Sequence, residues 1–175
     1  MIKKWYKEYR REKMGERKYW EKQGAIIGQN FSCIGKINMS SEPYLIEIGD
    51  NVRFSSDCKI VTHDGAVHVL RNQMGEYKDA DIFGKVKIGN NVFIGMDSIL
   101  LPGTEIGDNC IIAAGSVVKT KVPANMVYGG IPAKKICTID EYREKNKDRI
   151  VHTKSLDQNM KRKYIESNLI KNEKR

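Results

Sequence analysis

Residues 86–118, VKIGNNVFIGMDSILLPGTEIGDNCIIAAGSVV, decide the fold. An aliphatic residue recurs there every six positions, and a second residue, mostly smaller, stands two positions before each one. The aliphatic set is Ile88, Ile94, Leu100, Ile106, Ile112 and Val118, and the preceding set is Val86, Val92, Ser98, Thr104, Cys110 and Ser116. A period of six fits neither a helix nor an ordinary strand alternation. It indicates short strands separated by tight turns, with two side chains per strand pointing inward.

The residues between these strands support the same interpretation. Asp50-Asn51, Asn90-Asn91 and Asp108-Asn109 fall between strands, and Asn and Asp tolerate the backbone conformations that tight turns need. One such coil cannot bury its own faces, so coils stack and share a core. We therefore predict an all-β solenoid of hexapeptide repeats over residues 25–137, with Cys58 and Cys110 as small buried side chains at repeat positions.

The six-residue frame breaks once. Ile60 and Ile88 are 28 positions apart, which is not a multiple of six. This break predicts a loop over residues 61–85 that leaves the solenoid. Because long loops on a rigid scaffold often carry function, its titratable residues are candidates for chemistry, and they include His63, Asp64, His68, Asp79 and Asp81.

The charge distribution bears on possible partners. The formal net charge is +9, but the segment between residues 25 and 139 carries eleven basic and eleven acidic residues. The basic excess lies in the two ends of the chain, whereas a nucleic-acid site requires a basic patch on the folded body. We expect no nucleic-acid partner. A basic tail leaves open an association with an anionic membrane surface.

The two ends are predicted to be helical. Residues 1–24 form a basic N-terminal segment with Trp5, Tyr9 and Trp20 as its rings, suited to covering the first coil. Residues 138–175 form a C-terminal helical tail that begins with the capping-box pair Thr138 and Glu141. The sequence shows neither a signal-peptide pattern nor an apolar run of membrane-spanning length, so we expect a cytoplasmic protein.

Three stretches together resemble a known family. VTHDGAVHVLRN (61–72), the repeat that follows it, and VPANMVYGGIPAKKI (122–136) are similar to the left-handed β-helix acetyltransferases, in particular the maltose, galactoside and capsular-polysaccharide O-acetyltransferases. The resemblance covers about residues 25–139. It implies a left-handed parallel β-helix, a homotrimer with active sites between subunits, and direct transfer of an acetyl group from acetyl-CoA to a sugar hydroxyl.

His63 is the predicted general base. It follows the last regular strand residue before the loop, matches the catalytic histidine of the family, and can take the proton of an attacking hydroxyl as a neutral imidazole. A base works best when its second ring nitrogen is held by an acceptor. Asp64 is the nearest carboxylate in sequence, and Asp81 or a backbone carbonyl are the alternatives.

The resemblance also implies positions for the two substrates. Met96 and Ala114 align with family contacts to acetyl-CoA, and backbone N–H groups near Gly95 and Met96 suit the developing oxyanion. Lys119 and Thr120 occupy the place of the family's Thr-Lys pair near the phosphates in reversed order, which leaves Lys121 as another candidate. The remaining implied contacts are Lys134 for the nucleotide end and Asn38 for the acceptor.

Three alternatives stay open. The same scaffold and base could transfer acetyl to the amine of a nucleotide-linked amino sugar. The spacing of His63 and His68 is similar to that of the γ-class carbonic anhydrases, but zinc there needs three histidines and the third, His152, lies in the tail. No metal is therefore expected. The last alternative is a non-catalytic solenoid that serves assembly.

Overall fold

The structure is a computed structural model that describes Tyr9 and residues 11–170. Trp5, one of the rings predicted for the N-terminal helix, lies outside the described residues. The chain divides into two compact units, Met1–Tyr142 and Arg143–Arg175.

The first unit is built from two-to-six-residue strands. In the described part of the chain they are β1 Ile26–Ile27, β2 Ser32–Cys33, β3 Ile46–Ile48, β4 Arg53–Phe54, β5 Lys59–Ile60, β6 Val86–Ile88, β7 Phe93–Ile94, β8 Ile99–Leu100, β9 Glu105–Ile106, β10 Ile111–Ile112, β11 Val117–Val118, β12 Lys121–Val122, β13 Met126–Gly130 and β14 Ala133–Thr138. The repeat therefore forms short strands, as its period of six requires.

The strands form three sheets. Sheet 1 has the order β1-β3-β6-β9-β12, sheet 2 the order β14-β13-β10-β7-β4-β2, and sheet 3 the order β11-β8-β5. The chain visits the three sheets in turn, so each coil has a first corner (sheet 1 to 2), a second corner (sheet 2 to 3) and a third corner (sheet 3 to 1). Neighbouring strands are parallel except β13 and β14, which are antiparallel.

The register shows how hexads stack. Ile88 pairs with Ile106, and Leu100 pairs with Val118, so a regular coil holds three hexads, one on each sheet. Ile106 pairs with Val122, only 16 positions later. The last coil is therefore two residues shorter than a regular one.

Both predicted inward positions of the repeat are buried. The aliphatic residues and the small residues that precede them are at most 4% exposed, from Val86 to Val118. The polar members have partners: the Ser98 hydroxyl donates to the Ala113 carbonyl (3.2 Å) and the Thr104 hydroxyl to the Val118 carbonyl (2.9 Å). Cys58 and Cys110, each 1% exposed, are the buried small side chains that were predicted. The core is thus a column of aliphatic and small residues.

The first corner is a ladder of asparagines. Asn91, Asn109 and Asn125 have positive φ values of 54°, 54° and 62°, which Asn tolerates better than most residues. Asn91 Nδ2 donates to Asn109 Oδ1 (2.8 Å), and Asn109 Nδ2 donates to Asn125 Oδ1 (3.0 Å). The side chains therefore link successive coils as well as making the turns.

Helix α1, Glu16–Glu21, packs beside the first coil. Trp20 is 5% exposed and belongs to the solenoid core, and its indole N–H donates to Glu16 Oε2 (3.1 Å). The same carboxylate accepts from the backbone N–H of Ile37 (3.2 Å). This packing brings the end of the helix next to residues 38–41.

The helices that remain are short. Helix α2 is His68–Gln73, in the segment between β5 and β6, and α3 is Ile139–Asn146, where Thr138 and Glu141 form the capping box (Thr138 N–H to Glu141 Oε2, 2.7 Å; Glu141 N–H to Thr138 Oγ1, 3.1 Å). In the second unit, α4 is Gln158–Ile165, capped by Asp157. None of the helices in the described part is both long and apolar enough to cross a bilayer.

Candidate active site

His63 stands where the chain leaves the solenoid. Two residues separate it from the end of β5: Val61 and Thr62, of which Thr62 is fully buried. The two ends of the 61–85 segment are joined there: His63 forms an antiparallel bridge with Phe83, the Asp64 N–H donates to the Ile82 carbonyl (2.9 Å), and the Gly84 N–H donates to the Thr62 carbonyl (2.9 Å). The backbone that carries the His63 side chain is therefore held by hydrogen bonds to the other end of the segment.

The ring of His63 is held on one side. Nδ1 lies 2.9 Å from Glu42 Oε2, 3.3 Å from Ser40 Oγ and 3.5 Å from Ser41 Oγ. In the described part of the chain, all polar contacts of the ring fall on Nδ1. The opposite nitrogen, Nε2, makes no hydrogen bond to the described residues.

Glu42 is set up to be an anion. Partial burial acts to raise the pKa of its carboxyl group, but hydrogen bonds from Ser41, His63 and Thr62 outweigh burial and hold this pKa below its ordinary value. An ionised carboxylate only accepts hydrogen bonds. A hydrogen bond from the ring to this carboxylate therefore needs the proton on Nδ1 of His63.

A cleft opens in front of this histidine. Its volume is about 580 Å³, and the described residues that line it are Tyr19, Trp20, Gln23, Asn38, Ser40, Ser41 and His63. One wall comes from α1 and the residues after it, and the other comes from the third corner of the first coil. The lining offers hydroxyls, amides and aromatic edges, which are the groups that hydrogen-bond and pack against a polyhydroxylated ligand.

The carboxylates that the sequence proposed for His63 are engaged elsewhere. The Asp64 side chain accepts from the Ala66 N–H (2.9 Å) and caps the short 3₁₀ turn Gly65–Val67. Asp81 is paired with Arg71. Glu42 was not recognised from the sequence, because it lies 21 positions before His63. The signal that locates it is the stacking of the first two coils, which pairs Asn38 with Lys59 at that same separation.

Comparison with known proteins agrees with this geometry. The family model described as bacterial transferase hexapeptide (six repeats) matches residues 85–120. Protein CapG of Staphylococcus aureus is 40% identical over 146 residues, which cover 82% of this chain and 83% of CapG. The chain belongs to the hexapeptide-repeat acetyltransferases. The six-residue repeat predicted from the sequence is thereby confirmed.

Two named acetyltransferases are also similar to this family member. Galactoside O-acetyltransferase of Escherichia coli (strain K12) is 35% identical over 115 residues, covering 66% of this chain and 54% of that enzyme. The chain thus spans about half the length of this relative. A solved structure of a galactoside acetyltransferase in complex with coenzyme A superposes with a TM-score of 0.55 at 26% identity, covering 73% of this chain and 72% of that one.

Three residues that were predicted to contact acetyl-CoA lie at the second corner: Gly95, Met96 and Ala114. Met96 and Ala114 are exposed there on successive coils, and the Gly115 N–H donates to the Met96 carbonyl (2.7 Å). Gly95 is buried, and its N–H already donates to the Ile112 carbonyl (2.8 Å). A Cβ at Gly95 would lie 2.4 Å from Ala114 N, so packing between coils accounts for this glycine.

The other predicted residues are distributed along the solenoid. Lys119 and Thr120 form the exposed third corner between β11 and β12, and Lys134 is exposed in β14. Asn38 is brought into the cleft beside His63. His68 begins α2 and contacts Asn72 (3.0 Å). Among the described residues no group of three His, Cys, Asp or Glu side chains is placed to hold a metal ion.

Proposed function

We propose that the protein transfers an acetyl group from acetyl-CoA directly to a hydroxyl of a sugar or cell-surface glycan precursor, with His63 as the general base. The observation that carries the proposal is an imidazole held through Nδ1 at the edge of a cleft lined by hydroxyl, amide and aromatic side chains. Family membership supplies the class of reaction, and the galactoside acetyltransferases supply its donor and type of acceptor.

The reaction needs one proton relay. As the acceptor oxygen forms its bond to the acetyl carbon, its proton passes to Nε2 of His63. The tetrahedral intermediate then collapses, the carbon–sulfur bond breaks, and the departing thiolate takes the proton back from the imidazolium. The products are the acetyl ester and CoA, and His63 returns to its starting state.

The oxyanion and the donor are assigned to the solenoid corners. Because the Gly95 N–H is already used between coils, the oxyanion role proposed for this region passes to the backbone N–H of Met96. Pantetheine would lie along the second corner at Met96 and Ala114. Lys119, Thr120 and Lys134 would pair with phosphate groups, which a lysine contacts as a point charge.

The acceptor would enter the cleft between α1 and residues 38–41. Gln23 and Asn38 carry amides on the two walls, and paired amide and hydroxyl groups are suited to the ring hydroxyls of a sugar. A site built for such hydroxyls discriminates against molecules that lack them, since its polar groups are then left unpaired.

The assembly proposed with this function is a homotrimer of left-handed β-helices. Apolar side chains of the 61–85 segment are exposed in the single chain: Val69, Met74, Tyr77, Ile82 and Phe83. Exposed apolar side chains of this segment are suited to contact with another molecule, and a neighbouring copy of the chain would cover them. Light scattering of the purified protein should give three times the mass of one 20.0 kDa chain.

The decisive experiment compares two histidines of the same segment. His63→Ala should lower the rate of CoA release with methyl β-galactoside by about 10²- to 10⁴-fold, with the melting temperature preserved. His68→Ala, which removes an exposed histidine at the start of α2, should keep the wild-type rate. Full activity of His63→Ala would refute the assignment of His63 as the general base.

The acceptor is tested in parallel with a nucleotide-linked amino sugar. Turnover of the amine instead of the galactoside would replace the O-acetyltransferase assignment with N-acetyl transfer. Absence of turnover with either acceptor would count against the sugar assignment.

A further inference from the structure

We infer that Glu42 is the positioning residue of His63: its carboxylate fixes the imidazole with the proton on Nδ1 and the lone pair of Nε2 toward the cleft. The inference rests on the proposed function, in which His63 is the base, and adds to it the group that prepares this base. Glu42 touches neither acceptor nor donor in this role and acts only through His63.

The first support is the way in which Glu42 is itself held. Oε2 accepts from the Thr62 hydroxyl (2.8 Å) and contacts Nδ1 of His63 (2.9 Å). Thr62 is fully buried, and Pro43, which follows Glu42, is buried as the first residue of a 3₁₀ turn. The Glu42 side chain is only 15% exposed. A carboxylate fixed in this way can orient a ring that is itself 42% exposed.

The second support is the backbone of Ser40. Its φ is 44°, whereas the other non-glycine residues with positive φ in the described part of the chain are all Asn or Asp: Asn30, Asn51, Asp57, Asn91, Asp97, Asn109 and Asn125. This backbone conformation is energetically less favourable for serine than for Asn or Asp. The Ser40 N–H donates to Asn38 Oδ1 (3.2 Å), which stabilises the turn, and Ser40 Oγ lies 3.3 Å from Nδ1 of His63.

Strained backbone of this kind persists where the surrounding structure holds it, and it concentrates at functional sites. Here the strain has a visible result. Residues 40–42 form a polar cradle in which Ser40, Ser41 and Glu42 all face Nδ1. The cradle gives the ring one tautomer and one orientation, and it places a negative charge next to the imidazolium that forms during transfer.

The experiment reads the tautomer of His63 directly. In uniformly ¹⁵N-labelled protein without substrates, with the His63 signals assigned from the His63→Ala spectrum, long-range ¹H–¹⁵N correlations should show a protonated Nδ1 and an unprotonated Nε2. In Glu42→Ala the signals should move toward the Nε2–H tautomer. Glu42→Gln, which keeps the size and the bond from Thr62, should show a smaller move in the same direction.

Turnover gives a second readout. For Glu42→Ala we expect kcat to fall on the order of 10²-fold, with the KM for acetyl-CoA unchanged, and we expect Glu42→Asp to recover part of kcat. Asp64→Asn is the matched control. It alters the neighbouring carboxylate, which caps a turn, and should leave both tautomer and kcat at wild-type values.

An unchanged His63 tautomer in folded Glu42→Ala and Glu42→Gln would overturn the inference, and so would a change produced by Asp64→Asn instead. Circular dichroism confirms that each variant is folded, and Glu42→Gln serves if Glu42→Ala is not. If His63→Ala kept full turnover, the proposed function would fall, while the tautomer of the free protein would still show whether Glu42 orients the ring.

Discussion

The first and third corners of the solenoid follow opposite rules. At the first corner the spacing between inward-facing residues is six in every coil, as in Ile48 to Phe54 and Ile106 to Ile112. At the third corner the spacing is nine from Met39 to Ile48, 28 from Ile60 to Ile88, six from Leu100 to Ile106 and four from Val118 to Val122.

The proposed base and the residues around its ring lie at the irregular corner. The three extra residues of the first coil fall in the segment that holds Ser40, Ser41 and Glu42, and His63 lies near the start of the long excursion of the second coil. Because these two corners stack, the insertions meet and form the cradle around the imidazole. Constant corners provide rigidity, and a corner of variable length provides room for a site.

The largest effect on stability is expected in the regular coils. Leu100→Ala removes a fully buried side chain and should lower the free energy of unfolding by about 2–5 kcal/mol. Leu70→Ala, which removes a half-buried side chain of helix α2 in the long excursion, should cost clearly less. Chemical denaturation of the two variants measures the difference. Equal losses would mean that the excursion is as much a part of the core as the coils.

Two glycines allow a comparison of the second corner, which holds Gly95, with the long segment of the third corner, which holds Gly65. A Cβ at Gly95 meets backbone at 2.4 Å, whereas a Cβ at Gly65 meets nothing within 4 Å. Gly95→Ala should therefore destabilise the protein by about 1–3 kcal/mol, and Gly65→Ala should leave the melting temperature close to that of the wild type. Thermal denaturation of both proteins decides, and a tolerated Gly95→Ala would show that the second corner can spread.

Acid should weaken the third corner. The pKa of Glu42 is lower in the folded protein than its ordinary value of 4.5, so its contribution to stability is present above that pH and is lost as the pH falls through the folded-state pKa. The melting temperature of the wild type should fall more steeply than that of Glu42→Gln between pH 5 and 3, taking the ordinary pKa as the guide. Glu141, whose pKa is also lowered, is common to both proteins and cancels in the comparison. Parallel curves would contradict the prediction.

The smallest effect concerns acceptor binding. Gln23→Ala removes one amide from the cleft wall and should raise the KM for methyl β-galactoside about two- to tenfold, the value of one hydrogen bond, with the KM for acetyl-CoA unchanged. Gln29→Ala, at the first corner, is the control and should change neither constant. An effect confined to acetyl-CoA would move the acceptor out of this cleft.

Much of the scaffold could be predicted because its physical rule is local and repeated. Each hexad has two inward-facing positions that its sequence pattern identifies, so the burial of these side chains from Val86 to Val118 follows from the spacing alone. The position of His63 could also be predicted, since the break in the six-residue frame marks it. The partner of its Nδ1 could not be predicted, because proximity in sequence favoured Asp64, whereas stacking of unequal coils brings Glu42 to the ring. The extra residues of the first coil have no hexad signature to reveal this register.

Strand β14 has a consequence for how one molecule can associate with another. It runs antiparallel to β13 and ends sheet 2, so the polarity of the backbone reverses at the last edge. On sheet 2, a strand of a second molecule would therefore meet β14 rather than a parallel coil, and the ammonium groups of Lys134 and Lys135 on this strand repel a like-charged edge. A reversed and charged final strand is one way to keep a repeating structure from growing into a fibre.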